Sequence, residues 1–177
     1  MTSVKQRFGE IVGEDFDLFC ARELPDKIYS GEEPDCQDPS KVLLYTDPFM
    51  GIYDRCVREG TAEAYYTGVS ETLRKGETGE WAYLFRPIRA LADVLAVKFE
   101  LGVQTRKAYA AKDRAALARL AGERYPLLLQ RLETFYDEYE RFWMTEKKPQ
   151  GFEVQDARLG GLIPVSYTHL RAHETSA

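Results

Sequence analysis

Histidine is missing from Met1 through Val165. The only two, His169 and His173, lie in the closing stretch "VSYTHLRAHETSA". A body without histidine excludes Ser-His-Asp and Cys-His catalysis within one chain. It also excludes the Glu-x-x-His ligand pattern of di-iron helical bundles. Cys20, Cys36 and Cys56 are the only cysteines, and no two have metal-site spacing. Three scattered thiolates cannot complete a four-thiolate zinc site. Unpaired thiols fit a reducing compartment, so the chain is expected to be cytoplasmic. There is no Gly-x-Gly-x-x-Gly and no phosphate loop. No apolar run is long enough for a leader or a membrane span. The net charge of −5 gives no general pull toward nucleic acid or an anionic membrane, so neither is expected as a partner. These absences predict no catalytic, cofactor or metal site in this chain.

What the sequence does have is helical periodicity. Hydrophobic residues at 44% and charged residues at 30% suit one water-soluble globular domain with a sizeable core. Ser3 and Gln6 form a capping-box pattern for a first helix. Val4, Phe8, Ile11 and Val12 would line its buried face, and Gly13 would end it. "DFDLFCAREL" reads as a short second helix with Phe16, Phe19 and Cys20 inward. "PDKIYSGEEPDCQDPS" reads as a surface loop. "KVLLYTDPFMGIYDRCVREG" reads as two short helical turns hinged at Asp47-Pro48, because the residue before proline avoids helix. A helix follows over about Thr61 to Lys75.

Two long helices are expected in the second half. In the first, about Glu80 to Ala111, Leu84, Ile88, Leu91, Leu95 and Phe99 recur at helical steps. Pro87 predicts a kink or break. In the second, about Arg114 to Thr145, Leu117, Leu120, Leu128, Leu132, Phe135, Tyr139 and Phe142 form the stripe, and Pro126 predicts another kink. Lys112-Asp113 is too short a connection for anything but antiparallel neighbours. After Pro149 and Gly151, the segment with Phe152, Val154 and Leu159 reads as a short strand or irregular stretch. The fold class is mainly α, a helical bundle built on two long antiparallel helices.

Few residues tempt a chemical reading. Asp137-Glu138 resembles an acid pair, but neighbours on a helix point about 100° apart and cannot face one substrate. A solvated helix face accounts for them. Asp93, between Ala92 and Val94, needs a partner such as an arginine if it is buried, and a structural ion pair is favoured over a catalytic acid. The aromatic run Phe135, Tyr136, Tyr139, Phe142 and Trp143 could form a carbohydrate platform. Its helical spacing favours packing instead. Arg158, beside Leu159-Gly160-Gly161, reads either as a surface residue or as one reaching a neighbouring domain.

"KVLLYTDPFMGIYD" (Lys41 to Asp54), "LADVLAVKFELGVQTRKAY" (Leu91 to Tyr109) and "WMTEKKPQGFEVQDARLGGL" (Trp143 to Leu162) resemble the C-terminal helical domain of bacterial glycoside hydrolase family 20 enzymes. These are exo-acting β-N-acetylhexosaminidases. The likeness spans roughly Met1 to Ile163 and includes no catalytic signature. It implies a parent with a (β/α)8 barrel upstream. In that barrel an Asp-Glu pair supports substrate-assisted cleavage of terminal β-linked N-acetylhexosamine. Asp137-Glu138 does not match that pair. The implied role is non-catalytic: residues 1–163 would buttress the barrel of the same parent chain and could join a homodimer. Tyr45, Asp47, Phe49, Trp143, Phe152 and Arg158 are the candidate interdomain contacts. The alternative is a free-standing cytosolic helical interaction module with no enzymatic activity. The fragment reading also predicts an exposed apolar patch larger than a monomer usually shows.

Residues 164–177 stand apart. Val165 to Thr175 resemble a translated sequencing adapter, codon for codon. They are expected to be non-native, with Ser166 to Ala177 packing poorly, and the chain is expected to be truncated at both ends.

Overall fold

The computed structural model describes residues 3–29 and 38–174, with side chains described as far as Ile163. Cys36, the side chains of His169 and His173, and the packing expected of Ser166 to Ala177 lie outside what is described.

The fold is organised around its longest helix, α5 (Ala82–Ala110). Between Val94 and Gly102 every residue of α5 is buried. A helix that is apolar nearly all round must be covered on several sides, and two clusters do this. Ala90, Val94, Val97, Leu101 and Ala108 face one cluster. Phe85, Ala92, Leu95, Ala96 and Phe99 face the other, and Leu91 packs against both. Of the kink or break expected at Pro87, the break does not occur, and α5 runs through it as one helix. The missing N–H falls within the second turn, and Pro87 itself is buried in the packed helix.

Helix α4 (Ala62–Arg74) supplies Ala62, Tyr66, Val69 and Leu73 to the second cluster. Helix α7 (Tyr125–Glu146) supplies Leu128, Leu132 and Phe135 to the first. It is preceded by α6 (Arg114–Arg119), capped by Asp113, whose carboxylate accepts from Ala116 N–H at 2.9 Å. Between them lies a π-helical turn, Leu120–Arg124. Tyr125 N–H there reaches back five residues to the Leu120 carbonyl. Pro126 has no N–H to offer Gly122, so the expected kink takes the form of a change of register. Helices α5 and α7 are joined at three levels. Tyr83 Oη donates to Glu146 at 2.5 Å, Arg131 donates to the Asp93 carbonyl at 2.5 Å, and Thr105 and Tyr125 hydroxyls lie 3.1 Å apart.

The N-terminal elements are smaller. Helix α1 (Val4–Val12) has Ser3 Oγ accepting from Gln6 N–H at 3.2 Å, and Gly13 ends it. The reciprocal half of the capping box is absent, since the Gln6 amide donates to Glu10 instead. Val4 and Ile11 are 74% and 83% exposed, which corrects the buried face expected of α1. Phe8 turns inward against Phe16 and Phe19, and the half-buried Val12 accepts from the Trp81 indole N–H through its carbonyl at 3.0 Å. Helix α2 (Phe16–Cys20) runs into a 3-10 turn, Ala21–Asp26. Phe19 reaches Trp81 and Phe85, but Cys20 is exposed and not inward as expected. Helix α3 (Pro39–Tyr45) ends just before Asp47-Pro48.

The C-terminal segment departs most from expectation. Helix α8 spans Phe152–Glu174 where a strand or irregular stretch was expected, and there is no strand among the described residues. Phe152, Leu159 and Leu162 are buried, with Leu159 and Leu162 in the first cluster. Gly160-Gly161 lowers helix propensity, and packing overrides it. Among the described residues no helix is long and apolar enough to cross a membrane.

Candidate functional site: a strap clamped across the central helix

Residues 46–57 leave α3, cross α5 and return through a 3-10 turn, Asp54–Cys56. Three α5 residues spaced by four, Lys98, Gly102 and Arg106, hold this strap down. Such spacing puts them on one helix face. The Lys98 amine donates to the carbonyls of Leu43 and Thr46. Those groups lie at or just past the end of α3, where carbonyls lack partners within the helix. Gly102 lets the strap approach closely: a Cβ there would stand 2.2 Å from the Pro48 carbonyl oxygen. Arg106 donates to that same carbonyl and grips both oxygens of Asp54. Next to this face, Glu100 turns toward α4. Its carboxylate accepts from Gly60, Thr61 and Ala62 N–H at 2.9, 3.0 and 2.9 Å. A buried carboxylate thus caps a helix N-terminus from another element, where anions are favoured.

The clamp fixes an apolar tip. Met50 and Ile52 are 64% and 60% exposed, on either side of Gly51, whose φ is 66°. Large apolar side chains on a loop so firmly held are the groups most available to a partner surface. Beneath them is a small cavity of about 30 Å³, lined among others by Asp47, Asp54, Lys98 and Arg106.

The six candidate contact residues fall into two places. Asp47 and Phe49 belong to the strap. The Asp47 carboxylate accepts from Phe49 N–H at 2.8 Å, and Phe49 stacks on Tyr125 with centroids 5.8 Å apart. Burial pushes the Tyr125 hydroxyl up to about 12, with the Thr105 hydrogen bond opposing and Asp47 adding. Tyr45, Trp143, Phe152 and Arg158 gather where α3, α7 and α8 meet. Tyr45 Oη donates to Gln155 at 2.8 Å, and the Arg158 guanidinium sits 5.6 Å from the Tyr45 ring. Trp143 packs on Phe152 and donates to the Lys148 carbonyl at 3.0 Å, with the Lys147 amine over its ring. Tyr45, Phe49 and Trp143 are half-buried, Phe152 is buried and Arg158 is exposed. The aromatic run on α7 packs on itself and on Phe152, as its helical spacing indicated.

Two of the acidic residues noted in the sequence, Asp93 and Glu138, have arginine partners. Asp93 is held by Arg89 at 2.6 Å, and Arg89 also pairs with Glu77. Glu138 pairs with Arg141 one turn along α7, and Asp137 is exposed. Among the described residues no group of three His, Cys, Asp or Glu side chains could hold a metal ion. Sequence reasoning missed Lys98 and Glu100. Their signal was present: two charges inside the apolar run "VLAVKFELGV" must be either partnered or exposed.

The fold and its clamp are, among the described residues, those of an all-helical domain. The chain belongs to the Glycoside Hydrolase 20C C-terminal domain family, whose profile matches residues 17–172. The match takes in the strap, α5 and residues 165–172, and leaves α1 outside. No curated protein matches the chain.

Proposed function

We propose that the chain is a non-catalytic accessory domain of a β-N-acetylhexosaminidase, and that it buttresses the enzyme's (β/α)8 barrel. The observation that carries this is the family match over residues 17–172. The parent would hydrolyse terminal β-linked N-acetylhexosamine in the cytoplasm. In this reading α5 and the α6–α7 run are the antiparallel pair expected from the sequence. The opposed steps Tyr83 to Glu146, Asp93 to Arg131 and Thr105 to Tyr125 support it.

The clamped strap is the docking element in this proposal. Met50 and Ile52 are its anchors, with Tyr45, Asp47 and Phe49 behind them and Arg158, Trp143 and Phe152 flanking the α8 side. A preorganised loop loses little further entropy on association, which favours its use at an interface. A homodimer through the same domain is a second proposed use. Residues 164–177 are read as a non-native tail, although the family match reaches 172. Recovering the same tail from an independently sequenced locus would overturn that reading.

A hydrolysis assay on the purified chain with a chromogenic β-N-acetylglucosaminide tests the non-catalytic role. No turnover above the blank is expected, and robust turnover would refute it. The free-standing interaction module predicts the same assay result. It differs in predicting that no catalytic domain shares the gene.

A further inference from the structure

Lys98 is the most deeply buried cation among the described residues, 5% exposed, and the clamp described above does not account for its protonation. Its nitrogen serves two carbonyls, Leu43 and Thr46. A neutral amine has two N–H groups, which the two carbonyls match, and one lone pair left over. An ammonium has a third N–H and a full charge. What remains for them is the small cavity of about 30 Å³, room for about one water.

We propose that Lys98 is a proton-operated latch: as a neutral amine it closes the strap onto α5, and as an ammonium it loosens the strap. The charged groups around it give the direction. Asp47, on the strap, attracts the ammonium but already accepts from Phe49 N–H. Asp54, also on the strap, is occupied by Arg106 of α5. Glu100, on α5, is turned to the N-terminus of α4. Tyr125, from α7, bonds with Thr105. No carboxylate is left wholly to the ammonium, so desolvation outweighs attraction. Burial accordingly pushes the amine down to about 7, against the opposing pull of Asp47.

The linkage follows from that shift. Lifting the strap returns Lys98 to water and to its ordinary affinity for a proton. The open form therefore binds more protons than the closed form, and acid favours opening. Two amides report the state of the strap, Phe49 N–H on the Asp47 carboxylate and Met50 N–H on the Asp47 carbonyl at 3.2 Å. The inference concerns the strap's own mobility and stands whether or not the strap docks a barrel.

The test is amide hydrogen exchange at Phe49 and Met50 in the full chain between pH 6 and 8.5, corrected for intrinsic exchange. Protection should rise about tenfold or more with pH, within the limit of one linked proton. Lys98→Met should abolish the dependence. Lys98→Arg, charged throughout, should show weak protection at every pH. Protection that is flat or falls with pH in the unaltered chain would overturn the proposal. If the variants fail to fold, the lysine ¹⁵Nζ shifts of the unaltered chain decide. A Lys98 midpoint near neutrality that coincides with the change in protection supports the latch, and a midpoint at the ordinary lysine value overturns it.

Discussion

Gly102 lies under Pro48 so closely that a methyl group on its α-carbon would stand 2.2 Å from the Pro48 carbonyl oxygen. Helix propensity and packing therefore pull in opposite directions at this position. In the middle of a helix alanine is favoured over glycine by about 1 kcal/mol. Here the obstacle is backbone, which cannot rotate aside as a side chain can. Gly102→Ala should destabilise the chain by about 1–3 kcal/mol, as overpacking does. Urea unfolding checks this, and a stabilised variant would show that the strap is not held where it is described.

Glu100 satisfies three N–H groups at the start of α4. Glu100→Ala leaves the buried Ala62 N–H unsatisfied and the Gly60 and Thr61 N–H groups to water, and should cost about 1–3 kcal/mol, the usual cost of one unsatisfied buried group. Glu100→Gln keeps an acceptor and loses the charge, so it should fall between. Thermal melting of the two variants gives the order. Equal stability of Glu100→Ala and the unaltered chain would contradict the trans cap.

Tyr125 sets an alkaline limit. Its hydroxyl holds its proton up to about 12 in the folded chain, against about 10 in water. The folded state therefore binds more protons than the unfolded state between those values. The stabilisation is complete below pH 10 and is lost as pH rises toward 12. Tyr125→Phe should flatten that loss by at most about 1.4 kcal/mol per pH unit. The slope will not vanish, because the Asp156 hydrogen bond also raises Tyr136 to about 12. Urea unfolding at pH 9, 10 and 11 measures both slopes.

Met50 and Ile52 make little contact within the domain, so Met50→Ser with Ile52→Ser should change the stability of the isolated chain by less than about 0.5 kcal/mol. In the full parent enzyme the same pair should lower the melting temperature, if these side chains anchor the barrel. A large loss of stability in the isolated chain would place them in the domain's own core instead.

How much of this was legible in the sequence depends on the question put to it. Periodicity placed α4 and α5 within about two residues of their ends, because both are long and strongly patterned. The apolar neighbours of Asp93 marked it as needing a partner such as an arginine if buried; it is half-buried, and Arg89 pairs with it. Periodicity shows which residues share a face and not what covers that face, so Val4 and Ile11 were expected to be buried and are exposed. The strand-like reading of Phe152 to Leu159 rested on the turn at Pro149 and Gly151 and on the apolar Phe152, Val154 and Leu159. Phe152, Leu159 and Leu162 nonetheless fall on one buried helical face, a tertiary effect that local propensity does not contain. The hinge at Asp47-Pro48 was legible, but the way the strap is held on α5 was not. Its register depends on Lys98, Gly102 and Arg106 meeting main-chain carbonyls, and carbonyls carry no sequence signal.

The central claim, that this domain serves a glycosidase barrel, is tested most directly by reading the coding DNA upstream of Met1. The account predicts an open frame that continues into a (β/α)8 barrel bearing an Asp-Glu pair. A stop codon followed by a ribosome-binding site immediately before Met1 would contradict it.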